Sequence, residues 1–333
     1  MTPTMRACVI TAPGGPDVLE IREVARPAPG PDEVLVRVMA SALNRADLLQ
    51  RLGRYPAPAG APADIPGLEF AGEIVELGAH VDGWRAGDRV FGIVAGGAHA
   101  EYLVVDSGSL ATVPAALSWT VAGATPEAFI TAHDALCTIG RLHAGERLLI
   151  HAIGSGVGLA SAQLGRLIGA TVYGTARTPH KLETARGHGL SEGLVTRDGV
   201  DGIADAVKGW SGGLGVEVVL DLVGGPFVPA TLPAMAPRGR YVLVGLVAGA
   251  SATIDLGRLL RQRVQLTGTV LRARSRAEKA AATAGFVRDV VPGLAAGTLC
   301  PVIEEVLPLE RIAEAHALLE GNGTTGKVAI TMG

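Results

Sequence analysis

Between residues 147 and 246, short apolar runs alternate with helical segments, and few folds accommodate that alternation. RLLIHAI precedes the helical pattern GLASAQLGRLIG, TVYGTAR precedes HKLETARGHG, and GLVT precedes DGIADAVKGW. VEVVLDLVG is then followed by VPATLPAM, and the series closes on RYVLVGL. Apolar strands spaced by helices build βαβ units, whose parallel sheet is covered on both faces. The pattern predicts a doubly wound α/β domain.

The first third of the chain reads differently. Residues 6–12, 19–26, 33–40, 70–77, 89–94 and 100–105 form β-type runs bounded by Gly/Pro clusters, with one short helix at 45–52. The proline-rich segment 54–67 reads as an ordered loop over a site. Near Ser118 an N-cap serine and helical spacing begin, with Pro126 as a break. The tail adds a long helix at 276–294, the strand IEEVLPL, a helix at 310–319 and the closing strand KVAITM. A chain of 333 residues exceeds what one core usually holds. The expected division is a β-rich domain over 1–122, completed by 267–333, around a nucleotide-type domain over 123–266.

Charged residues are 18% and the net charge is −3, with no basic block, which argues against a nucleic-acid surface. The three cysteines, Cys8, Cys137 and Cys300, form no CxxC pair, so a disulfide framework is not expected and a cytoplasmic setting fits. No apolar run precedes Pro13 as a secretory signal would. The uncharged stretch 148–165 is interrupted by glycines, His151, Ser155 and Gln163, so it reads as strand then helix, and no membrane association is expected.

That same stretch contains HAIGSGVG, with Gly154, Ser155, Gly156, Val157 and Gly158 between a strand and a helix. Glycines there let the backbone approach an anion, and a helix N-terminus offers unpaired N–H groups and partial positive charge to a pyrophosphate. The spacing departs from GxGxxG, but the strand–turn–helix context is the one phosphate binding requires. At the end of the next strand, NAD-dependent proteins usually place a carboxylate for the ribose 2′-OH. Here the strand runs into Ala176, Arg177 and Thr178, with Lys181 a turn later. Arg177 and Lys181 suit a 2′-phosphate, which predicts NADPH as cofactor over NADH. Gly245 and Leu246 end the strand RYVLVGL, where an open α/β sheet faces its ligand.

The motifs SALNRADLLQRLGRYP, PGLEFAGEI, PEAFITAHDAL, HAIGSGVG, LDLVGG, YVLVGL and TTGKVAI span the whole chain. Together they resemble the zinc-independent, zeta-crystallin-type quinone oxidoreductases of the medium-chain dehydrogenase/reductase superfamily. The resemblance implies a GroES-like catalytic domain plus a Rossmann cofactor domain, a homodimer with an edge strand within 240–267, and NADPH-dependent reduction of quinones. Reduction of alkenals or other enones stays open as an alternative, as does an NADPH-binding protein with little turnover. Zinc-dependent relatives use a Cys in the first third and a His in GHE. This chain has no Cys in SALNRAD and has Leu68 in PGLEFAG, so no metal is expected.

On that resemblance Asn44 is the leading catalytic residue, donating to the acceptor carbonyl or holding the nicotinamide ribose, although an asparagine there also suits a helix cap. Tyr55 would line the substrate slot or donate a proton. Arg45 and Asp47 would hold the loop as an ion pair. Thr131 matches a threonine beside the nicotinamide, and Lys327 a lysine near the adenylate phosphate.

Overall fold

The computed structural model describes residues 3–333. The chain opens with β1 (Thr4–Ile10) and β2 (Leu19–Ala25), an antiparallel pair, followed by β3 (Glu33–Ala42) and the helix α1 (Arg45–Arg51). β4 (Glu69–Leu77), β5 (Arg89–Ile93), β6 (Tyr102–Asp106) and β7 (Leu110–Thr112) complete the β-rich stretch. Helices α2 (Trp119–Gly123) and α3 (Pro126–His133) follow, with a π-type extension at Asp134–Ile139.

Alternation then begins: β8 (Arg147–His151), α4 (Gly156–Ile168), β9 (Thr171–Ala176), α5 (Pro179–Gly187), β10 (Leu190–Val195), α6 (Ile203–Trp210) and β11 (Val216–Asp221). α7 (Phe227–Thr231), β12 (Met235–Leu243), α8 (Leu256–Gln262) and β13 (Gln265–Gly268) end it. The tail consists of α9 (Arg276–Asp289), α10 (Val291–Ala295), β14 (Ile303–Pro308), α11 (Ile312–Glu320) and β15 (Lys327–Thr331). The single long helix expected at 276–294 is interrupted at Val290 because Pro292, lacking an N–H, begins a new helix instead of continuing the old one.

Contacts divide the chain into unit 1, residues 1–130 with 271–333, and unit 2, residues 131–270. The sequence boundaries were 122/123 and 266/267, whereas the structure divides within α3 and just past β13. In unit 1 the strand order is β14-β15-β3-β4-β5-β7, with β6 also on β3. Its core, including Val34, Val36, Phe70, Ile74, Leu307, Ile312, Val328 and Ile330, draws on both ends of the chain. The returning tail is therefore structural: β15 pairs antiparallel with β3, Ala329 opposite Ala42.

Unit 2 is a parallel sheet in the order β10-β9-β8-β11-β12-β13. The order reverses between β8 and β11, and in such sheets ligands bind beyond the carboxyl ends of the strands at that reversal. The glycine turn follows β8 directly. Among the described residues no helix is long and apolar enough to cross a membrane.

Candidate functional site

Two constellations stand out, one in each unit. In unit 2, β8 ends at His151 and the chain turns through Ala152, held at φ 56°, a left-handed conformation that costs a non-glycine residue energy. Ser155 caps α4, its hydroxyl accepting from the Gly158 N–H at 3.1 Å. Gly158 has no room for a side chain: a Cβ would lie 2.6 Å from the carbonyl oxygens of both Ala152 and Ile153. A Cβ on Gly154 would meet the Lys181 side-chain carbons at 2.7–2.9 Å. Lys181, in α5 and buried, thus lays its stem over the turn. Thr178 precedes α5 in extended conformation, and Arg177 beside it is exposed. The sequence placed Arg177, Thr178 and Lys181 next to the turn by strand-end logic, and Lys181 packs directly against it.

Behind the turn, buried His151 lies 3.0 Å from the Thr175 hydroxyl through Nδ1 and 2.8 Å from the Thr231 hydroxyl through Nε2. Burial pushes its pKa down to about 4, so the ring is neutral at pH 7. Asp221, at the end of β11, accepts from the N–H groups of Val223 and Gly224 and from the Tyr241 hydroxyl, ordering the LDLVGG loop across the reversal. Gly245 follows β12 with no space for a Cβ, which would lie 2.4 Å from the Leu222 carbonyl oxygen. Exposed Leu246 lines a cavity of about 320 Å³ with Leu243, Val244, Gly268, Thr269 and Val270. Thr131, in α3, is buried.

In unit 1, strand register gathers the polar groups. Extending the β3–β15 register two residues past Ala329–Ala42 sets Lys327 opposite Asn44, and the β3–β4 register, Ser41 opposite Phe70, brings Glu69 to the same rim. The Lys327 ammonium pairs with Glu69 Oε1 at 2.5 Å and donates to Asn44 Oδ1 at 2.7 Å and to the Leu43 carbonyl at 2.9 Å. The Asn44 amide donates to Glu69 Oε1 at 2.9 Å and to the Ala42 carbonyl at 3.2 Å. Glu69 Oε2 accepts the Glu127 N–H at 2.9 Å.

These bonds change two expected roles. Both amide hydrogens of Asn44 are taken within unit 1, so donation to an acceptor carbonyl would first require breaking a bond to Glu69 or Ala42. All three ammonium donors of Lys327 are likewise taken, in a pocket where the side chain is 5% exposed, leaving none for an adenylate phosphate. Lys327 belongs with Asn44 and holds its side-chain oxygen.

Asp47 was expected to pair with Arg45. Instead its oxygens accept from the N–H groups of Asn44 and Gly67, with His99 Nε2 at 3.8 Å, while Arg45 donates to Asn322. The bond to Gly67 fastens one end of the proline-rich loop. Arg272 fastens the other: its guanidinium donates to the carbonyls of Tyr55 and Ala95 and to Gln50 Oε1, and it lies 5.0 Å from the Tyr55 ring centre. Ser41, His99 and Asp47 also line up as hydroxyl, imidazole and carboxylate, but all three are fully buried and offer a substrate no approach.

Sequence reasoning missed Glu69, Glu127 and Arg272. Glu127 is half-buried, and its carboxyl is pushed up to about 8 by burial first and then by the facing Glu69 carboxylate. Burial also raises the Tyr55 hydroxyl, against the opposing influence of Arg272.

Comparison with known proteins matches both units of the chain. The family model described as "Alcohol dehydrogenase GroES-like domain" matches residues 30–115, and "Zinc-binding dehydrogenase" matches residues 156–284. The chain is 30% identical over 332 residues to a quinone oxidoreductase of Lama guanicoe, covering 98% of each. It is 32% identical over 318 residues to one from Pseudomonas aeruginosa, covering 95% of this chain and 96% of that one. The solved Escherichia coli quinone oxidoreductase complexed with NADPH is 27% identical, with a TM-score of 0.86 over 99% of each chain.

Proposed function

The chain belongs to the quinone oxidoreductase family of the medium-chain dehydrogenase/reductase superfamily, and from that premise we propose that it is an NADPH-dependent, zinc-independent reductase of quinones. The observation carrying the cofactor reading is the glycine turn of unit 2, with a close approach that only Gly158 permits and the Lys181 stem laid over Gly154. The N–H groups opening α4 bind the pyrophosphate, and Ser155 fixes that helix start. Arg177 and Lys181 bind the 2′-phosphate, and the Gly245–Leu246 backbone receives the carboxamide. NADPH, when bound, supplies the hydride.

Without a metal, charge developing on the acceptor oxygen needs protein donors. Among the described residues no group of three His, Cys, Asp or Glu side chains is arranged to hold a metal ion, and Leu68 occupies the histidine position of the zinc-dependent relatives. Asn44, oriented by Lys327 and Glu69, holds its amide at the rim and donates to the acceptor oxygen by giving up its bond to Glu69 or Ala42. Tyr55, on a loop clamped by Arg272, lines the acceptor's place. The protein acts as a homodimer in which β13, the exposed edge of the unit 2 sheet, pairs with a second copy. Light scattering on the purified protein checks that assembly.

The decisive experiment titrates NADPH and NADH against the wild type and Arg177→Ala. Losing a charged hydrogen-bond partner costs ~1.5–3 kcal/mol, so the preference for NADPH should fall roughly ten- to hundredfold. An unchanged preference removes Arg177 from the site. Turnover on a naphthoquinone against a 2-alkenal then separates quinone from enone reduction.

A further inference from the structure

Behind the glycine turn of unit 2, five buried polar side chains form one hydrogen-bonded row. Thr175 near the end of β9, His151 at the end of β8 and Asp221 at the end of β11 are register neighbours, so their side chains share one face of the sheet. Tyr241 lies two residues before Leu243, the register partner of Asp221, and so belongs to the same face. Thr231, the last residue of α7, completes the row. The Thr175 hydroxyl meets His151 Nδ1 at 3.0 Å, and the Thr231 hydroxyl meets Nε2 at 2.8 Å. Thr231 also interacts with the Tyr241 hydroxyl, which donates to Asp221 Oδ2 at 2.6 Å. None of the five residues is more than 1% exposed.

Asp221 sets the direction of every bond. The Tyr241 O–H points to it, so the phenol oxygen accepts from Thr231, the Thr231 oxygen accepts from His151 Nε2–H, and Nδ1 is left to accept from Thr175. Bonds aligned in one sense polarise one another in a dry interior. The row is tied to backbone at both ends. Asp221 Oδ1 accepts the Val223 and Gly224 N–H groups at 2.7 and 3.0 Å, and its backbone carbonyl accepts those of Val244 and Gly245 at 2.8 and 3.2 Å. The Thr175 carbonyl accepts the Ile153 N–H at 2.9 Å, which joins β9 to the turn itself.

We propose that Thr175 and His151 are positioning residues for the cofactor's 2′-phosphate, with the row from Thr231 through Tyr241 to Asp221 locking the imidazole in the tautomer they need. The inference rests on the NADPH reading above. The end of β9 carries Arg177, two residues beyond Thr175, and the end of β8 carries the glycine turn. The Thr175–His151 bond fixes one strand end against the other, and therefore fixes the segment that meets the 2′-phosphate against the turn that meets the pyrophosphate. Neither side chain touches the nucleotide; both are fully spent on the row. Phe227 packs edge-on against the His151 ring, with centroids 5.0 Å apart, and leaves the imidazole one orientation. The same row holds Gly245, which receives the carboxamide, through the Asp221 carbonyl.

Two measurements test this. The first is nitrogen NMR of the histidine-labelled wild type without nucleotide, the His151 signals being those missing from His151→Gln. They should report a neutral ring carrying its proton on Nε2, and Tyr241→Phe, which cuts the row from Asp221, should weaken that preference. The second is titration of NADPH and NADH against the wild type, Thr175→Val and Thr175→Ser. Thr175→Val keeps the shape and removes the hydroxyl. Losing one buried hydrogen bond should cut the preference for NADPH over NADH roughly two- to tenfold, because NADH lacks the phosphate that the β9 end meets. Thr175→Ser restores the hydroxyl and should restore the preference. A role in stability alone would weaken both nucleotides equally. If the wild-type ring carries its proton on Nδ1, or if Thr175→Val keeps the wild-type preference, the positioning role is overturned while the NADPH reading survives. A wild type that shows no preference for NADPH overturns both.

Discussion

Unit 1 builds its site from charged side chains, whereas unit 2 builds its site from backbone. At the unit 1 rim, the N-cap of α1, β4, α3, β15 and the segment after β13 each contribute one polar group, and the Lys327 and Glu69 side chains are 5% and 0% exposed. At the unit 2 turn the working parts are the N–H groups of α4, one capping hydroxyl and two glycines pressed against neighbouring atoms. A buried charge is stable only with its partners, so the unit 1 rim stands or falls as a set. A backbone cradle depends on the absence of side chains, so the stability of unit 2 should suffer far less from a lost charge than from an added methyl.

The sharpest way to break that contrast is Lys327→Met. It strands Glu69 as a buried carboxylate, and removing one partner of such a pair costs ~3–5 kcal/mol. Denaturant unfolding should show a loss of that size. Adding Glu69→Gln should recover most of it, because the neutral amide leaves no unpaired buried charge and its single oxygen still accepts from either Asn44 or the Glu127 N–H. If the double variant is no more stable than the single one, the rim is not a matched set.

The corresponding test in unit 2 is Gly158→Ala. The new Cβ would sit 2.6 Å from two carbonyl oxygens, so the turn must open, at an overpacking cost of ~1–3 kcal/mol. NADPH affinity should fall with stability. Gly187→Ala is the control: its Cβ meets nothing within 4 Å, and alanine in a helix is favoured over glycine by up to ~1 kcal/mol. Equal effects at 158 and 187 would mean that close approach does not define the turn.

The contrast also explains what could be read from the sequence. The unit 2 turn lies within one short stretch, so its strand, glycines and helix start were legible together, and strand–helix alternation supplied the sheet. The unit 1 rim joins Asn44, Glu69, Glu127, Arg272 and Lys327, which meet only through the β3–β4 and β3–β15 registers and the return of the tail. Read locally, Glu127 is one more acid in a helix's first turn, and nothing near Arg272 in VLRA points to a loop some 220 residues away in the chain. Asn44 and Lys327 were singled out by resemblance alone, which located them without showing that they bond to each other. The break in the tail helix did have a local signal, Pro292, which the helical spacing around it outweighed.

The smallest expected effect falls on the side chain that caps the unit 2 cradle. Ser155→Ala removes the cap on the Gly158 N–H, and such losses typically cost ~1 kcal/mol. In the presence of NADPH the variant should lose less than in its absence, because a bound pyrophosphate takes over the exposed N–H groups. Thermal unfolding with and without the nucleotide measures both. Should Ser155→Ala cost as much as Lys327→Met, unit 2 would depend on its side chains as heavily as unit 1 does, and the division between a charged rim and a backbone cradle would no longer hold.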